Sequence, residues 1–439
     1  MYQIPQIVFV AILLIFGYFI ARRIARIKKN ISLGKDTDMS DQKSARLKTM
    51  LLVAFGQKKM FKRVLPAFFH FLIYAGFILI NLEVLEIVLD GILGTHRLFA
   101  PWLGSFYTFL ISFFEILAAL VIIACFVFLI RRNILKIDRF HKIEMKGWPT
   151  LDGNLILVIE IVLMFAILKM NAADQVLQAR GAEGYTPTGS FLVSSMVFVP
   201  IFEVLSDNLL IFAERAAWWF HIVGIFAFAL YVTYSKHLHI FLAFPNTYYS
   251  RLTPKGKIEN MPEITNEVKM MLGVPVETDS APPPEGMKFG AKDINDLTWK
   301  NLMEAYSCTE CGRCTSECPA NLTGKKLSPR KIMMDTRDRM EDVGYGEKGL
   351  GDGKSLLDDY ISKEEINACT SCNACVEACP VNINPLEIIL QLRRYVAMEE
   401  SAAPASWNSM FSNVETNFAP WKFAPTDRFN WADELKSNS

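Results

Sequence analysis

Residues 308–319 read CTECGRCTSECP and residues 369–380 read CTSCNACVEACP, one frame written twice. Each run spaces its cysteines C-x-x-C-x-x-C-x-x-x-C and follows the last with proline. The first holds Cys308, Cys311, Cys314 and Cys318 before Pro319; the second holds Cys369, Cys372, Cys375 and Cys379 before Pro380. Eight of the nine cysteines lie in these runs, and the ninth, Cys125, stands alone inside an apolar stretch. Thiols clustered at such short gaps read as metal ligands in a reducing compartment, not as a secreted disulfide framework. Zinc would ask for C-x-x-C pairs separated by a long gap. Two complete four-cysteine runs closed by proline ask for two [4Fe–4S] clusters. Cys125 reads as a small buried apolar residue.

The runs resemble those of bacterial ferredoxins, in which three thiolates of one run hold a cubane and the fourth reaches the other cluster. That resemblance assigns cluster one to Cys308, Cys311, Cys314 and Cys379, and cluster two to Cys369, Cys372, Cys375 and Cys318. About fifty residues separate the runs, with a helix expected over Lys331–Asp342 and a flexible loop over Gly344–Gly353. This spacer and the lead-in Glu304-Ala305-Tyr306 resemble the α-helical ferredoxin of heterodisulfide reductase C subunits and of fumarate reductase iron–sulfur proteins. Gly353-Lys354-Ser355 imitates the end of a phosphate-binding loop, but Lys348 stands where its first glycine belongs, so no nucleotide site is expected.

Upstream, the composition changes. The chain has 439 residues, 51% of them hydrophobic, and a formal net charge of +1, which gives no argument for nucleic-acid binding. Five apolar segments, 4–21, 64–89, 106–130, 151–170 and 209–243, approach or exceed the roughly 20 residues that cross a bilayer. The first carries its positive charges after the apolar run (Arg22, Arg23, Arg26, Lys28, Lys29), the reverse of a signal peptide, and is read as a retained helix. Lys and Arg gather after the first and third segments, including Lys59, Lys62, Arg63, Arg131, Arg132 and Arg139. Positive charge stays on the cytoplasmic side, which puts the N-terminus outside and everything after Ala243 in the cytoplasm. Phe191–Leu205 is apolar, broken by Pro200 and too short to span, so an interfacial helix is expected.

The expected fold is therefore all-α. A five-helix transmembrane bundle (1–250) is followed by a linker (251–292) stiffened by Pro282-Pro283-Pro284. A helical di-[4Fe–4S] domain (293–399) comes next, then an aromatic tail (400–439) that wraps over another surface.

Intramembrane ionisable groups are functional candidates by default. His70 in the second segment and His239 at the inner end of the fifth lie at matching depth, as bis-histidine ligation of a b-type haem requires. His221 and His239 are 18 residues apart, five helical turns, so both point from one face of the fifth segment and His237 points nearly the opposite way. Glu115 and Glu160 are candidates for a proton relay. His70, Trp219-Phe220-His221 and His237-Leu238-His239-Ile240 resemble the cytochrome b (gamma) subunit of respiratory nitrate reductase and its relative heterodisulfide reductase E. That family often carries two haems, but Ile80 stands where the second ligand of the second segment belongs, leaving His221 without its partner. One haem b is expected, with His221 and His237 as the lesser alternatives.

The combined resemblance implies a membrane oxidoreductase subunit relaying electrons between a cytoplasmic donor and menaquinone. The partner would be an electron-transfer flavoprotein, a soluble dehydrogenase or a heterodisulfide-reductase-B-like subunit with a cysteine-rich CCG domain, which the tail would dock. A non-haem membrane anchor for a soluble iron–sulfur complex is the alternative.

Overall fold

A computed structural model describes residues 4–275 and 288–437; the Pro282-Pro283-Pro284 run lies outside them. Among the described residues the chain is all-α with no β-sheet, only isolated bridges such as Lys35 with Thr298. Five helices are long and apolar enough to cross a membrane: Ile4–Ile31, Val64–Leu93, Ser105–Asn133, Trp148–Ala179 and Asp207–Val232. Local chemistry sets their ends. Lys28 and Lys29 fill the last turn of the first and Arg131 and Arg132 that of the third, where cations complement the helix dipole. The second stops at Gly94 with φ +73°, and the fourth starts after Gly147 with Pro149 in its first turn. Small residues let the helices approach, as is usual in membranes. A methyl built on Gly76 would meet the Val121 side chain at 2.5 Å, and one on Gly224 would meet Leu163 at 2.7 Å.

The fifth helix departs from the sequence reading. It ends at Val232 instead of running to Ala243, turns through Lys236–Leu238 and restarts as His239–Tyr248. The cause lies in the fourth helix. Asp152 accepts from the Tyr231 hydroxyl, from Ser235 Oγ at 2.6 Å and from the Lys236 backbone N–H at 3.1 Å. Ser235 Oγ in turn accepts the His237 N–H at 3.1 Å. The shared-face argument for His221 and His239 therefore fails, because no continuous helix joins them.

Phe191–Leu205 folds as two short helices, Leu192–Val197 and Val199–Phe202, packed on the third and fourth long helices. At the opposite end of the bundle sits the cysteine-rich domain. Its main helices, Trp299–Ser307, Pro329–Tyr345 and Pro385–Met398, bury Leu302, Ile332, Met340, Ile388 and Leu392. Ile27 of the first long helix and Leu238 belong to the same apolar core. Arg23 reinforces the junction, pairing with Glu341 at 2.8 Å and donating to the Thr233 carbonyl at 3.2 Å. Two segments are more ordered than the sequence suggests: a helix forms at Pro262–Met271 in the linker and another at Ala405–Asn417 in the tail. Phe418, Trp421, Phe429 and Trp431 of the tail are exposed.

Candidate functional site

The two cysteine runs share one backbone shape. Glu310 and Ser371 follow the first cysteine at the same register, both left-handed (φ +54° and +55°), as are Gly312 and Asn373 (φ +69° and +60°). Such alternation turns successive N–H groups inward, a nest that suits anionic sulfur. The Ser371 N–H donates to Cys369 Sγ at 3.4 Å, and the Ile383 N–H donates to Cys379 Sγ at 3.3 Å.

Thiols of one run have neighbours in the other. Cys308 lies within electrostatic reach of Cys311 and Cys379, and Cys314 within reach of Cys308, Cys311 and Cys379. Cys375 is within reach of Cys369, Cys318 and Cys372. Cys314 also feels Cys375, so the runs approach one another there. Among the described residues no three His, Cys, Asp or Glu side chains come close enough to hold a single metal ion.

Burial and mutual repulsion push the Cys308 and Cys375 thiols up to about 12 and Cys379 to about 11. Free, they are neutral thiols at pH 7; a bound cationic core inverts that balance and ionises them. Eight thiols with neighbours across the two runs, and backbone N–H groups turned toward sulfur, make a donor set that fits two cubanes. The thiols differ in exposure, though each run has two that are buried. Cys372 is exposed, whereas Cys308, Cys318, Cys375 and Cys379 are buried. Lys59, from the loop before the second long helix, donates to the Val376 carbonyl at 3.1 Å and to Asn382 Oδ1 at 3.0 Å. Burial pulls its ammonium down to about 8, opposed by the neighbouring Cys379.

Cys311 opens onto a cavity of about 530 Å³, within the range of cofactor and ligand sites. His70, His237 and His239 line it, with Glu160 and Cys125 in its membrane-side wall. The His70 and His239 rings have centroids 6.5 Å apart and planes inclined by 37°. Two imidazoles bound to one metal at about 2 Å each place their ring centres roughly 6 Å apart, so the pair fits a shared iron. His239 Nδ1 lies 3.0 Å from the Lys236 carbonyl, which fixes that nitrogen as donor and turns Nε2 to the cavity. His70 Nδ1 is buried with no hydrogen-bond partner among the described residues. The His237 ring stands perpendicular to His239 at 5.4 Å. The sequence reading does not assign Arg131, Arg132, Arg139 and Arg313 to the cavity, yet all four line it.

His221 does not line this cavity: it is buried, its Nδ1 3.0 Å from the Leu163 carbonyl, and its Nε2 has no partner among the described residues. The two carboxylates singled out from the sequence also separate. Glu160 faces the cavity with no ion-pair or hydrogen-bond partner among the described residues. Glu115 instead anchors the short helices, accepting the Val193 and Ser194 N–H groups at 2.8 and 3.0 Å and Asn171 Nδ2 at 3.1 Å. Glu115→Ala should cost about 1–3 kcal/mol by leaving those donors unpaired, read as a lower unfolding temperature, and Glu115→Gln should cost less.

A buried network that sequence reading misses closes the far end of the bundle around Arg97. Its guanidinium donates to Asp174 at 2.9 Å, Asn171 at 2.7 Å and the Tyr107 hydroxyl at 3.3 Å, with Glu83 3.6 Å away. Tyr107 donates on to Glu86 at 2.6 Å, and His96 pairs with Asp174 at 3.0 Å.

Comparison with known proteins is consistent with the site. A family profile described as a 4Fe-4S dicluster domain matches residues 307–383. The chain is 28% identical to the Probable iron-sulfur-binding oxidoreductase FadF of Bacillus subtilis, over 96% of this chain and 59% of that protein. It is 26% identical to the EtfAB:quinone oxidoreductase of Syntrophomonas wolfei, over 90% of this chain and 55% of that protein. It is 31% identical to a subunit of the dihydromethanophenazine:CoB–CoM heterodisulfide reductase of Methanosarcina mazei, over 32% of this chain and 35% of that one. The chain thus spans little more than half the length of the first two relatives. No solved structure matches significantly. Residues 307–383 are a ferredoxin-type dicluster domain like those of heterodisulfide reductase subunits, carried on a multi-pass membrane protein.

Proposed function

We propose that this chain is the membrane-bound electron-transfer subunit of a quinone-linked oxidoreductase, joining a soluble redox partner to the menaquinone pool. The observation that carries the reading is a cavity lined both by Cys311 and by the facing His70 and His239 rings. Cys308, Cys311, Cys314 and Cys379 would hold one [4Fe–4S] cluster, and Cys369, Cys372, Cys375 and Cys318 the other. His70 and His239 would hold a b-type haem. When bound, these groups supply the one-electron steps of the relay.

The chain's own residues give that relay its direction in space. Cys372, at the surface, marks the face a soluble partner approaches; Cys311 faces the membrane. In the orientation set by Lys and Arg, that face is cytoplasmic. Glu160, alone in the cavity wall, would hold a proton beside the reduced site. Similarity to an EtfAB:quinone oxidoreductase supports an electron-transfer flavoprotein as partner, and similarity to heterodisulfide reductase subunits supports a CCG-domain subunit. The exposed tail aromatics would dock it.

The similarity to heterodisulfide reductase subunits favours a second reading more directly: a non-haem anchor that docks a soluble iron–sulfur complex. A reduced-minus-oxidised spectrum of the purified, iron-replete chain separates the two. The relay expects a b-type band that His70→Ala and His239→Ala abolish and His221→Ala leaves in place. An iron-replete wild type without the band is the anchor.

A further inference from the structure

The rim of the cavity nearest Cys311 is more positive than its protein neighbours balance. Arg131, Arg132, Arg139 and Arg313 line it. Arg132 is engaged by Asn154 Oδ1 at 3.1 Å, and both Arg132 and Arg139 lie 4.9 Å from the Phe140 ring centre. Arg313 donates to the Met60 carbonyl at 3.3 Å, a neutral acceptor. Arg139 Nε is buried with no hydrogen-bond partner among the described residues. Burial pushes the Arg139 guanidinium down to about 10, with Arg63, Arg313 and Arg131 repelling it and Cys311 opposing the shift. The cavity lining holds two carboxylates. Glu310 is already paired with Lys236 at 2.6 Å and Arg337 at 2.8 Å, and Glu160 sits in the membrane-side wall. Partly buried guanidiniums without an anion are unfavourable, and their fork geometry matches carboxylate.

Resting on the haem reading above, we propose that Arg131, Arg139 and Arg313 form a cradle for the two propionate carboxylates of a haem held by His70 and His239. The macrocycle would then stand with its carboxylate edge toward Cys311 and its apolar edge among Ile156, Leu157 and Phe77. The cradle residues are positioning residues: they orient the group and set the field across it. The other anion within reach is the thiolate-bound cluster beside Cys311, and the test separates the two.

Arg139→Gln, Arg131→Gln and Arg139→Lys are made in the full-length chain and purified in detergent. Haem content, the haem potential by optical titration, the cluster potentials by electron paramagnetic resonance and the propionate bands in the resonance Raman spectrum are then measured. Loss of a cation beside the carboxylates favours oxidised haem, so each Gln variant should raise the oxidised-to-reduced ratio at a fixed potential about tenfold, 59 mV for one electron. The propionate bands should shift, the cluster potentials should hold, and Arg139→Lys should recover most of the change. Haem-loaded Gln variants with unaltered haem potential and Raman bands overturn the cradle. A shift confined to the clusters overturns it too, giving the arginines to the thiolate-bound iron. A wild type without haem b fails earlier and sinks the parent reading instead.

Discussion

Cys379→Ser is expected to destroy the cluster of the first cysteine run while sparing that of its own. Iron should fall from about eight to about four atoms per chain, because each cubane carries four. The remaining centre should match the one left by Cys311→Ser, not the one left by Cys372→Ser, by electron paramagnetic resonance of the reduced proteins. The expectation follows from the neighbouring thiols: Cys379 stands beside Cys311 and Cys308, whereas Cys318 stands beside Cys369 and Cys375. If Cys379→Ser instead reproduces the Cys372→Ser spectrum, each run holds its own cluster and the crossed assignment is wrong.

Arg97→Ala should be the most damaging single change in the membrane half that touches no cofactor. It removes the cation that pairs Asp174 and lies beside Glu83, both nearly fully buried. Breaking a buried pair by deleting one partner typically costs about 3–5 kcal/mol, because the remaining charge is left in low dielectric. Thermal unfolding in detergent should show the loss. Arg97→Ala combined with Asp174→Asn should recover part of it, since the second change removes the stranded carboxylate. Equal unfolding temperatures for wild type and Arg97→Ala would show that the network carries no net stability.

Much of this architecture is legible in the chain itself. Long apolar runs announce the five helices, since a membrane-length helix needs little else to declare itself. The cysteine runs carry their ligand chemistry in their spacing. Sequence reading fails where one element is shaped by another far away. Ser235 is a weak local signal, capping the His237 N–H, but the break is set by Asp152 of a different helix, which collects the Ser235 hydroxyl and the Lys236 N–H. That break, invisible to a period count, decides how His237 and His239 enter the cavity. In the sequence Arg131, Arg132 and Arg139 are legible only as charges flanking an apolar run, and the fold brings the same side chains into the cavity lining. Arg97 reads as a lone loop cation because its partners, Asn171 and Asp174, lie on the fourth helix.

The shared core at the junction has a consequence for how the molecule is made. Ile27 is translated near the start, Leu238 midway, and Leu302, Ile332 and Ile388 toward the end, yet all five close one apolar core. Until the late residues arrive, the inserted bundle presents an unfilled greasy seat to the aqueous side, a hazard typical of partly folded intermediates. Seating the cysteine-rich half thus does more than attach a domain: it fills the adjoining end of the helix bundle itself.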